Sequence, residues 1–417
     1  MAKVATEDGG EKSTFTLTLP STSTSTSTSG GDGGVAVAKI ISESHAFKAS
    51  LGNGFSLHTP MVALAMARLG ASAKEIESHH SYAMEKNARY KLLPIEEIQT
   101  ETSTPRSRGV SLVTASNWFR MCNMEGAHEA SFRRFWRDEI SSTGRVAAVT
   151  KCLSHMTDAV HSRLHHGVIR LAYAMEMEMQ NEQEKDEEIA VALAAFCANY
   201  SPLRWTSNDN QEERERKGEV TNICEGFLAL QQQQQQQQGV LIRFDQRMGF
   251  AKKYGTFMKD PNYLRLVPRV SQGKSKLSTN EGLEGFVKHV VALYLSKPNI
   301  LSLHMVTGLH ALLVLRPYYT EEDFESTLDT HWISTAILYL SMKAPPLGLD
   351  GRTKIKTKTK TVSWDKIVAH ALRSRSDHDI KFVDTCLFLH RTFPSQANLI
   401  QSAASTLVKE KETKEEV

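Results

Sequence analysis

The chain of 417 residues lacks most of the motifs that identify common enzyme classes. It has no GxGxxG motif after a strand and no GxxxxGK[ST] motif, so neither a Rossmann-bound flavin or nicotinamide nor a P-loop nucleotide is indicated. The HExxH motif of zinc peptidases and the GxSxG motif of hydrolases are also absent. Any oxidation would therefore need a metal, oxygen chemistry assisted by the substrate, or a cofactor that binds without a recognised fingerprint.

Charge and cysteine content argue against further classes. The formal net charge is +3, from 50 basic and 47 acidic side chains, which gives no strong attraction to nucleic acid or to an anionic membrane. The five cysteines are odd in number, widely spaced and without a CxxC pair. They therefore indicate reduced core thiols rather than a disulfide framework or a zinc site.

No segment has the pattern of a signal peptide or a membrane span. A basic region followed by an apolar region is missing from the N-terminal sequence. The apolar run around 301–315 contains His304 and His310 and is shorter than the roughly 20 residues that cross a bilayer. We therefore expect a soluble cytoplasmic protein without membrane or nucleic-acid partners, and the oligomeric state stays open.

Low-complexity segments flank and interrupt a single large domain. Residues 1–40 contain TSTSTSTS and GGDGG and have too little apolar surface to offset the entropy of ordering, so we expect disorder there. The domain itself is expected over 41–408, followed by a charged tail at 409–417. Surface insertions are predicted within the domain at 207–218, at the octaglutamine 231–238, at 271–280 and at 350–361 with its KTKTKTK run.

Between these insertions the apolar residues recur with a helical period. The pattern i, i+3, i+4, i+7 and i+8 is met by Trp364, Ile367, Val368, Ala371 and Leu372. Similar stripes mark 60–87, 116–137, 143–157, 164–175, 186–198, 283–295, 300–315, 321–342 and 395–408. Strand-like alternation is limited to LGNGFSL and GVLIRF. The sequence therefore predicts an all-α fold of about ten or more helices.

Sixteen histidines are present, and several lie inside apolar helical segments. A single histidine there is usually a hydrogen-bonded core residue, whereas several on separate buried helices can converge on a transition metal. The candidates are His58, His165, His166, His304, His310 and His378. His304 and His310 differ by about 120° around a regular helix, so at most one should point into a given site unless Gly308 breaks the turn.

One helical face in LHHGVIRLAYAME carries three polar side chains. His166, Arg170 and Tyr173 lie at i, i+4 and i+7, while His165 is rotated by about 100°. A ligand, a fixed cation and a phenol on one face would suit an anionic or phenolic substrate beside a metal. The alternative is an ordinary interior in which Arg170 pairs with a carboxylate.

The stretch SDHDIKF places His378 and Lys381 three residues apart and therefore on one face of a helix. The alternative here is an exposed ion-pair cluster, but Phe382 and Phe388 on the same side argue for burial. A buried lysine is paired or has a lowered pKa, and its neutral amine can act as a base or add carbon dioxide to form a carbamate. Asp379 points elsewhere.

In these segments the sequence resembles the questin oxidase-like family. The resemblance covers about residues 45–400 and rests on LHTPMVALAMARLGAS, NWFRM followed by FRRFWRDEI, HGVIRLAYAME, LHMVTGLHALLVL and WDKIVAHALRSRSDHDIKFVDTCL. Members are predominantly helical, and fungal ones are oxygenases that open rings of aromatic polyketides such as anthraquinones by Baeyer–Villiger-type or related oxidation. Some are linked to NADPH, and a non-haem iron held by histidines and a carboxylated lysine occurs in the family.

The resemblance implies a site and its ligands. The metal, Fe(II), would be held by His58, His166, His304, His378 and carboxylated Lys381, with His310 as the alternate to His304. The partners would be an aromatic small molecule and O2, with NADPH as a reductant. Arg170 would then stabilise a phenolate or quinone oxygen, and Tyr173 would donate or accept a proton.

Two positions depart from the family pattern. Arg170 stands where fungal members tend to carry a second histidine, and Leu57 stands where many have asparagine. Neither change removes a ligand that the resemblance implies. Both alter the surroundings of the site, so substrate and reaction type can differ from those of the fungal oxidases.

Two other classes remain as alternatives. An HD-type phosphohydrolase would use His378 and Asp379 as paired metal ligands, but it also needs an aspartate on a later helix. The one aspartate after Asp379 is Asp384, about 140° around the same helix. The second alternative is a non-catalytic helical interaction protein whose histidines are structural.

Overall fold

The structure is a computed structural model that describes most of the chain. Described are residues 32–51, 56–90, 92–95, 112–122, 129–179, 181–203, 220, 222–236, 255, 256, 258, 260, 267, 277–347 and 361–415. These residues contain fifteen α-helices and no strand, only two isolated bridges. The prediction of an all-α single domain is confirmed.

The helices are numbered in chain order. They are α1 (Asp32–Ser44), α2 (Thr59–Arg68), α3 (Ala73–Arg89), α4 (Trp118–Cys122), α5 (Glu129–Thr143), α6 (Arg145–His155), α7 (His166–Glu176), α8 (Glu182–Ala198), α9 (Ile223–Gln236), α10 (Asn280–Ser296), α11 (Ile300–Leu315), α12 (Glu321–Ser341), α13 (Trp364–Arg373), α14 (Asp377–Thr392) and α15 (Ala397–Glu415). Three short 3-10 turns lie at Thr157–Ala159, Arg316–Tyr318 and Pro394–Gln396.

The apolar stripe at 60–87 is divided between two helices by a short turn. Gly70 has a φ of 85°, a left-handed conformation that glycine adopts without steric cost, and it ends α2. Ser72 then caps α3 by accepting a hydrogen bond from the Glu75 backbone N–H, while the Glu75 carboxylate accepts from the Ser72 N–H. These signals turn the chain back, so α2 and α3 pack on each other.

Four helices surround the centre of the molecule. Helix α11 is buried at every residue from Ser302 to Leu315, and it packs against α7 and α14. Helix α2 packs against both α7 and α14, which completes the group. Among the described residues, Ile300–Tyr318 is the one helical segment long and apolar enough to cross a membrane, but most of it is buried inside the protein. That burial is consistent with the core helix of a soluble protein.

The domain boundaries predicted from composition are too narrow. Helix α1 covers residues 32–40 of the segment expected to be disordered, because Val37 and Ile40 bury apolar surface against α2 and α3. At the other end, α15 continues to Glu415, beyond the expected boundary at 408. Residues 1–31 lie outside the described part of the chain.

Most residues of the predicted insertions lie outside the described part of the chain. This holds for all of 207–218 and for nearly all of 350–361. The octaglutamine is described over 231–236, where it continues α9 as a helix rather than forming a loop. Of the two strand candidates, GVLIRF lies outside the described residues. In LGNGFSL the described residues are 51, 56 and 57, and Ser56 forms an isolated bridge with Ser50. All five cysteines are free thiols, as predicted.

Candidate metal centre

Four helices of the central group each bring one histidine to the same place. His58 directly precedes α2, His166 opens α7, His378 is the second residue of α14, and His304 lies in the second turn of α11. Ring centroids are 4.9 Å apart for His58 and His166, 4.8 Å for His166 and His304, 5.1 Å for His304 and His378, and 4.8 Å for His378 and His58. We call these four residues the histidine cluster.

Local sequence signals put two of these side chains at helix ends. Pro60 lies in the first turn of α2, where its fixed φ suits a helix and its missing N–H is not needed. Before α7, three consecutive residues have positive φ angles of 51°, 56° and 65°: Arg163, Leu164 and His165. This left-handed conformation is strained for residues other than glycine, and such strain is concentrated at functional sites.

Backbone carbonyls determine the tautomers of two members of the cluster. Nδ1 of His166 contacts the Arg163 carbonyl oxygen, and Nδ1 of His304 lies 2.6 Å from the Ile300 carbonyl oxygen. A carbonyl can only accept, so in both rings Nδ1 carries the proton and Nε2 carries the lone pair. These two Nε2 atoms are 3.3 Å apart.

His58 has the same arrangement through a carboxylate. Its Nδ1 lies 3.4 Å from Oδ2 of Asp377, whose other oxygen lies 3.0 Å from Nε2 of His79. Burial alone would raise the pKa of Asp377, but the hydrogen bonds from the two histidines lower that pKa well below its ordinary value. The carboxylate therefore accepts a hydrogen bond from the Nδ1–H of His58, which leaves the lone pair of His58 on Nε2. That atom is 2.8 Å from Nε2 of His166.

The fourth ring offers a nitrogen without a partner. Nε2 of His378 is buried and has no hydrogen-bond partner among the described residues. Ligand atoms of His58, His166 and His378 all lie within 4.8 Å of one another. The histidine cluster thus gathers several unprotonated or unpartnered ring nitrogens in one small volume.

Burial keeps the cluster uncharged. It lowers the pKa of His58 to about 4 and that of His304 to about 3, and in both cases the charge on Lys381 adds to the effect. The pKa values of His166 and His378 are also lowered well below 6.5, first by burial and then by neighbouring groups. Neutral imidazole is the form that binds a transition metal.

Lys381 is buried, at 3% exposure, one turn after His378. Burial lowers the pKa of its ammonium group to about 8, although the charge of Asp377 acts in the opposite direction. Its charge lowers the pKa of all four histidines, so it lies close to the cluster. The structure therefore brings together the four histidines and the lysine that the sequence singled out.

These residues fit a metal ion. Metal–imidazole bonds are about 2.1 Å long, so two nitrogens at right angles around one ion are about 3 Å apart, close to the separations found here. Lone pairs that face one another at this distance repel unless a cation or proton lies between them. Each ring with an assigned tautomer is also held by an acceptor on its other nitrogen, the usual outer support of a histidine ligand.

Asp379 has a different role from the neighbouring Asp377. Its carboxylate accepts hydrogen bonds from the Ser374 and Ser376 hydroxyls, and the Ser376 side chain caps α14. Asp379 therefore stabilises the helix start, and it does not join His378 as the paired ligand that an HD-type phosphohydrolase needs.

Arg170 lies in a separate ion pair. Its Nε and Nη2 lie 2.8 and 3.0 Å from the carboxylate oxygens of Glu188 on α8, and that carboxylate also contacts Nε2 of His45. Burial would raise the pKa of Glu188, but Arg170 and His45 lower it to about 2. Of the two alternatives left open by the sequence, the structure contains the carboxylate pair. Nη1 of Arg170 has no hydrogen-bond partner among the described residues, so a contact of Arg170 with a substrate oxygen stays a prediction.

Tyr173 and His310 lie further along the same helices. Tyr173 is seven residues after His166, about 10 Å along α7, and its hydroxyl donates to Oδ2 of Asp384 at 2.9 Å. His310 contacts the Thr385 hydroxyl at 3.0 Å rather than the cluster. Helix α11 is unbroken at Gly308, where a side chain would meet the ring of His165 at 2.7 Å.

Several polar neighbours of the site were not singled out from the sequence. His79 lies on α3, whose sequence is mostly polar and therefore indicates an exposed helix. Arg68 is the last residue of α2, a position where basic residues are common. Nε2 of His331 donates to the Met305 carbonyl, so its Nδ1 accepts the 2.8 Å hydrogen bond from Nε2 of His165. The sequence contains no local pattern that pairs these residues, because each contact joins separate helices.

The fold and site define an all-α protein in which the first turns of central helices bring together a buried cluster of neutral histidines beside a lysine. Residues 55–386 match the family model described as questin oxidase-like, and the chain belongs to that family. Membership supports an oxidoreductase-type role. The comparison with curated proteins gives no match. The histidine cluster and Lys381 all lie within the matched residues.

Proposed function

We propose that the protein is an oxygenase in which His58, His166, His304 and His378 hold a non-haem iron and Lys381, carboxylated, supplies an oxygen ligand. The substrate would be an aromatic polyketide or a similar quinone, opened by Baeyer–Villiger-type or related oxidation. The observation that carries this proposal is the group of facing Nε2 atoms on His58, His166 and His304, which have no proton to share. An iron held in this way would supply activation of dioxygen, for oxidation at a ring carbon next to a carbonyl.

Lys381 has the environment that carbamate formation requires. Because the pKa of its ammonium group is about 8, roughly a tenth of the side chain is a neutral amine at neutral pH, far more than for an exposed lysine. The amine nitrogen adds to carbon dioxide and releases a proton, which gives an anionic oxygen ligand. That anion would balance part of the charge of a bound cation among four neutral rings.

Asp377 would act as the outer support of the site. It holds the Nδ1 proton of His58, so that Nε2 stays available to a metal, and it is itself fixed by His79. Asp377 directly precedes His378 in α14. The same helical turn would therefore supply His378 as a ligand and Asp377 as the support of the ligand His58.

The source of electrons depends on the reaction. Insertion of one oxygen atom beside a carbonyl, with the other leaving as water, consumes two electrons, for which we propose NADPH. A reaction that places both oxygen atoms in the product needs no reductant. The enzyme would work as a soluble cytoplasmic protein, since its one long apolar helix among the described residues is mostly buried.

The test is metal analysis of the purified protein after anaerobic reconstitution with Fe(II), followed by oxygen uptake with hydroxylated anthraquinones. We expect one iron per chain and oxygen consumption that depends on iron and quinone. Assays with labelled dioxygen, with and without NADPH, show whether one oxygen atom enters the product with a reductant or both atoms enter without one. His304→Ala and Lys381→Ala should lose iron.

His289→Ala is the matched control. His289 is also buried, with its pKa lowered to about 4 chiefly by burial, but it stacks on Phe227, outside the cluster. It should retain iron. Iron that is absent from the reconstituted wild-type protein would refute the metal-dependent function.

A further inference from the structure

A second buried polar group lies on the helices that build the histidine cluster. Nη1 of Arg68 is 3.0 Å from Oε2 of Glu176 and 3.4 Å from Oδ2 of Asp384. The hydroxyl of Tyr173 donates to the same Asp384 oxygen, and the guanidinium lies 5.3 Å from the centroid of the Tyr173 ring. Together with His310, 6.5 Å from Tyr173 between ring centroids, these residues are called the Arg68 cluster.

The two clusters occupy successive levels of the same four helices. Each helix contributes a histidine first and a member of the Arg68 cluster six to ten residues later, at positions 68, 173, 310 and 384. At 1.5 Å per residue the separation along the helices is about 9–15 Å. A planar polycyclic molecule with one end at the histidine cluster would therefore reach the Arg68 cluster with its other end.

The Arg68 cluster contains polar atoms that nothing described satisfies. Nη2 of Arg68 and Nε2 of His310 are both buried, and neither has a hydrogen-bond partner among the described residues. His310 is only 3% exposed, and its other nitrogen is engaged by Thr385. Buried polar groups are normally paired, so unpaired ones in a native protein indicate a missing partner.

The charges of the cluster decide which kind of partner fits. Arg68 stays cationic, because Asp384 and Glu176 raise its pKa against the opposing effect of burial. Burial lowers the pKa of His310 to about 3, so that ring is neutral. One cation thus faces two carboxyl groups, and an additional anion would be repelled rather than attracted. A neutral acceptor such as a carbonyl oxygen can accept a hydrogen bond from the Nη2–H group without adding charge.

The cluster is also open to one side. The side chain of Arg68 is 23% exposed and that of Glu176 is 15% exposed, whereas Tyr173 and His310 are buried deeper between the helices. A ligand end that lies here remains close to solvent while its other end reaches the buried histidines.

We propose that the Arg68 cluster is a binding subsite for the carbonyl end of a neutral polycyclic quinone, with Arg68 as hydrogen-bond donor and His310 as second contact. The proposal rests on the function proposed above and adds to it a substrate-orienting site. It assigns to Arg68 the contact with a quinone oxygen that the sequence had suggested for Arg170. It also excludes carboxylated or phosphorylated aromatics as preferred ligands.

The test is anaerobic titration of the full chain with three probes: a peri-hydroxylated anthraquinone, the matching anthracene diol without carbonyls, and an anthraquinone carboxylate. Wild-type protein should bind the neutral anthraquinone most tightly. Arg68→Met should weaken that binding by about 10- to 100-fold, as expected for loss of a hydrogen bond from a charged donor, and should change anthracene diol binding by less than about 3-fold.

Two further variants keep the result interpretable. His310→Phe preserves packing against Phe388 while removing Nε2, and it should also weaken anthraquinone binding selectively. Arg137→Met removes an arginine paired with Glu187 on another surface and should leave every affinity unchanged. The iron content of each variant reports whether its histidine cluster is intact.

The outcomes separate this subsite from the oxygenase function. If Arg68→Met retains iron and binds the anthraquinone as the wild type does, the subsite is refuted while the metal-dependent function stands. The subsite is also refuted if the wild-type protein binds the anthraquinone and the anthracene diol equally well. If no iron binds but the carbonyl-selective affinity and its loss in Arg68→Met are observed, the subsite stands and the metal-dependent function is refuted.

Discussion

The Nε2 atoms of His58 and His166 lie 2.8 Å apart although both Nδ1 protons are engaged elsewhere, by Asp377 and by the Arg163 carbonyl. Two neutral imidazoles in these tautomers present lone pairs to each other. The arrangement is unfavourable without a cation or an added proton, and the lowered pKa values oppose the proton. A metal ion between them would satisfy both rings without rearrangement.

We therefore expect His166→Ala to lower metal affinity by more than about 100-fold, beyond the 10- to 100-fold effect of an outer support. The reason is that His166 faces both His58 and His304. Isothermal titration with Fe(II) or Co(II) under anaerobic conditions measures the change. His310→Ala is the control, and its metal affinity should match that of the wild type. If His310→Ala lost as much metal affinity as His166→Ala, the metal site would not be limited to the histidine cluster.

Asp377→Asn should weaken metal binding by about 10- to 100-fold, because an amide no longer holds the Nδ1 proton of His58 as strongly as a carboxylate does. Asp379→Asn is the matched substitution two residues away. It removes the acceptor of the Ser374 and Ser376 hydroxyls and should lower the free energy of unfolding by about 1 kcal/mol without affecting the metal. Equal metal affinity in both variants would argue against the support role of Asp377.

Lys381→Met should stabilise the metal-free protein at pH 7. The pKa of Lys381 falls from 10.5 to about 8 on folding, which corresponds to about 3 kcal/mol of lost stability while the group is charged in both states. Because the unfolded chain binds more protons between pH 8 and 10.5, wild-type stability rises across that window and the advantage of the variant shrinks. Urea unfolding at several pH values measures this. A difference in unfolding free energy between the variant and the wild type that stays constant up to pH 10.5 would contradict this prediction.

Acid should unfold the metal-free protein steeply. Burial is the main cause that lowers the pKa of four histidines to about 3 or 4: His58, His304, His310 and His331. In the unfolded chain they titrate near 6.5, so these histidines cost no stability above that pH, and stability falls by up to about 5 kcal/mol per pH unit as the pH drops toward 4. Proton uptake on unfolding at pH 5 should decrease by about one in His310→Phe. No change would show that His310 is already protonated in the folded protein.

The ion pair of Arg170 and Glu188 should matter for stability rather than for metal binding. Arg170→Met leaves the buried Glu188 carboxylate without its main partner and should destabilise the protein by about 3–5 kcal/mol. Thermal unfolding measures this loss, and iron content at low temperature should be unaffected. Loss of iron in a folded Arg170→Met protein would contradict this and show that Arg170 contributes to metal binding.

Helical periodicity was sufficient to predict the all-α fold, because apolar stripes determine which face of each helix is buried. It also placed His58, His166, His304, His378 and Lys381 among the candidates, together with His165 and His310, since each is a polar residue within an apolar stripe. The choice of four histidines and Lys381 as ligands came from the family resemblance. That these residues meet depends on how α2, α7, α11 and α14 pack, which no local pattern encodes.

Arg170 and Arg68 show the limit of reasoning from a single helix. Arg170 shares a face with His166 and Tyr173 on a helical projection, yet α8 also packs against α7 and supplies Glu188 as a nearer partner. Arg68 lies at the end of α2, and only its approach to α7 and α14 makes it part of a buried group. Contacts between helices distant in sequence decide both cases.

The starts of α2, α7 and α14 all lie at the histidine cluster, with His58, His166 and His378 within two residues of a helix end. Each helix start carries a partial positive charge of about half a unit. A bare divalent cation at this site would therefore be held less tightly than by four imidazoles alone, whereas a cation that carries an anion would be favoured. Azide, cyanide and similar small anions should for this reason be strong inhibitors.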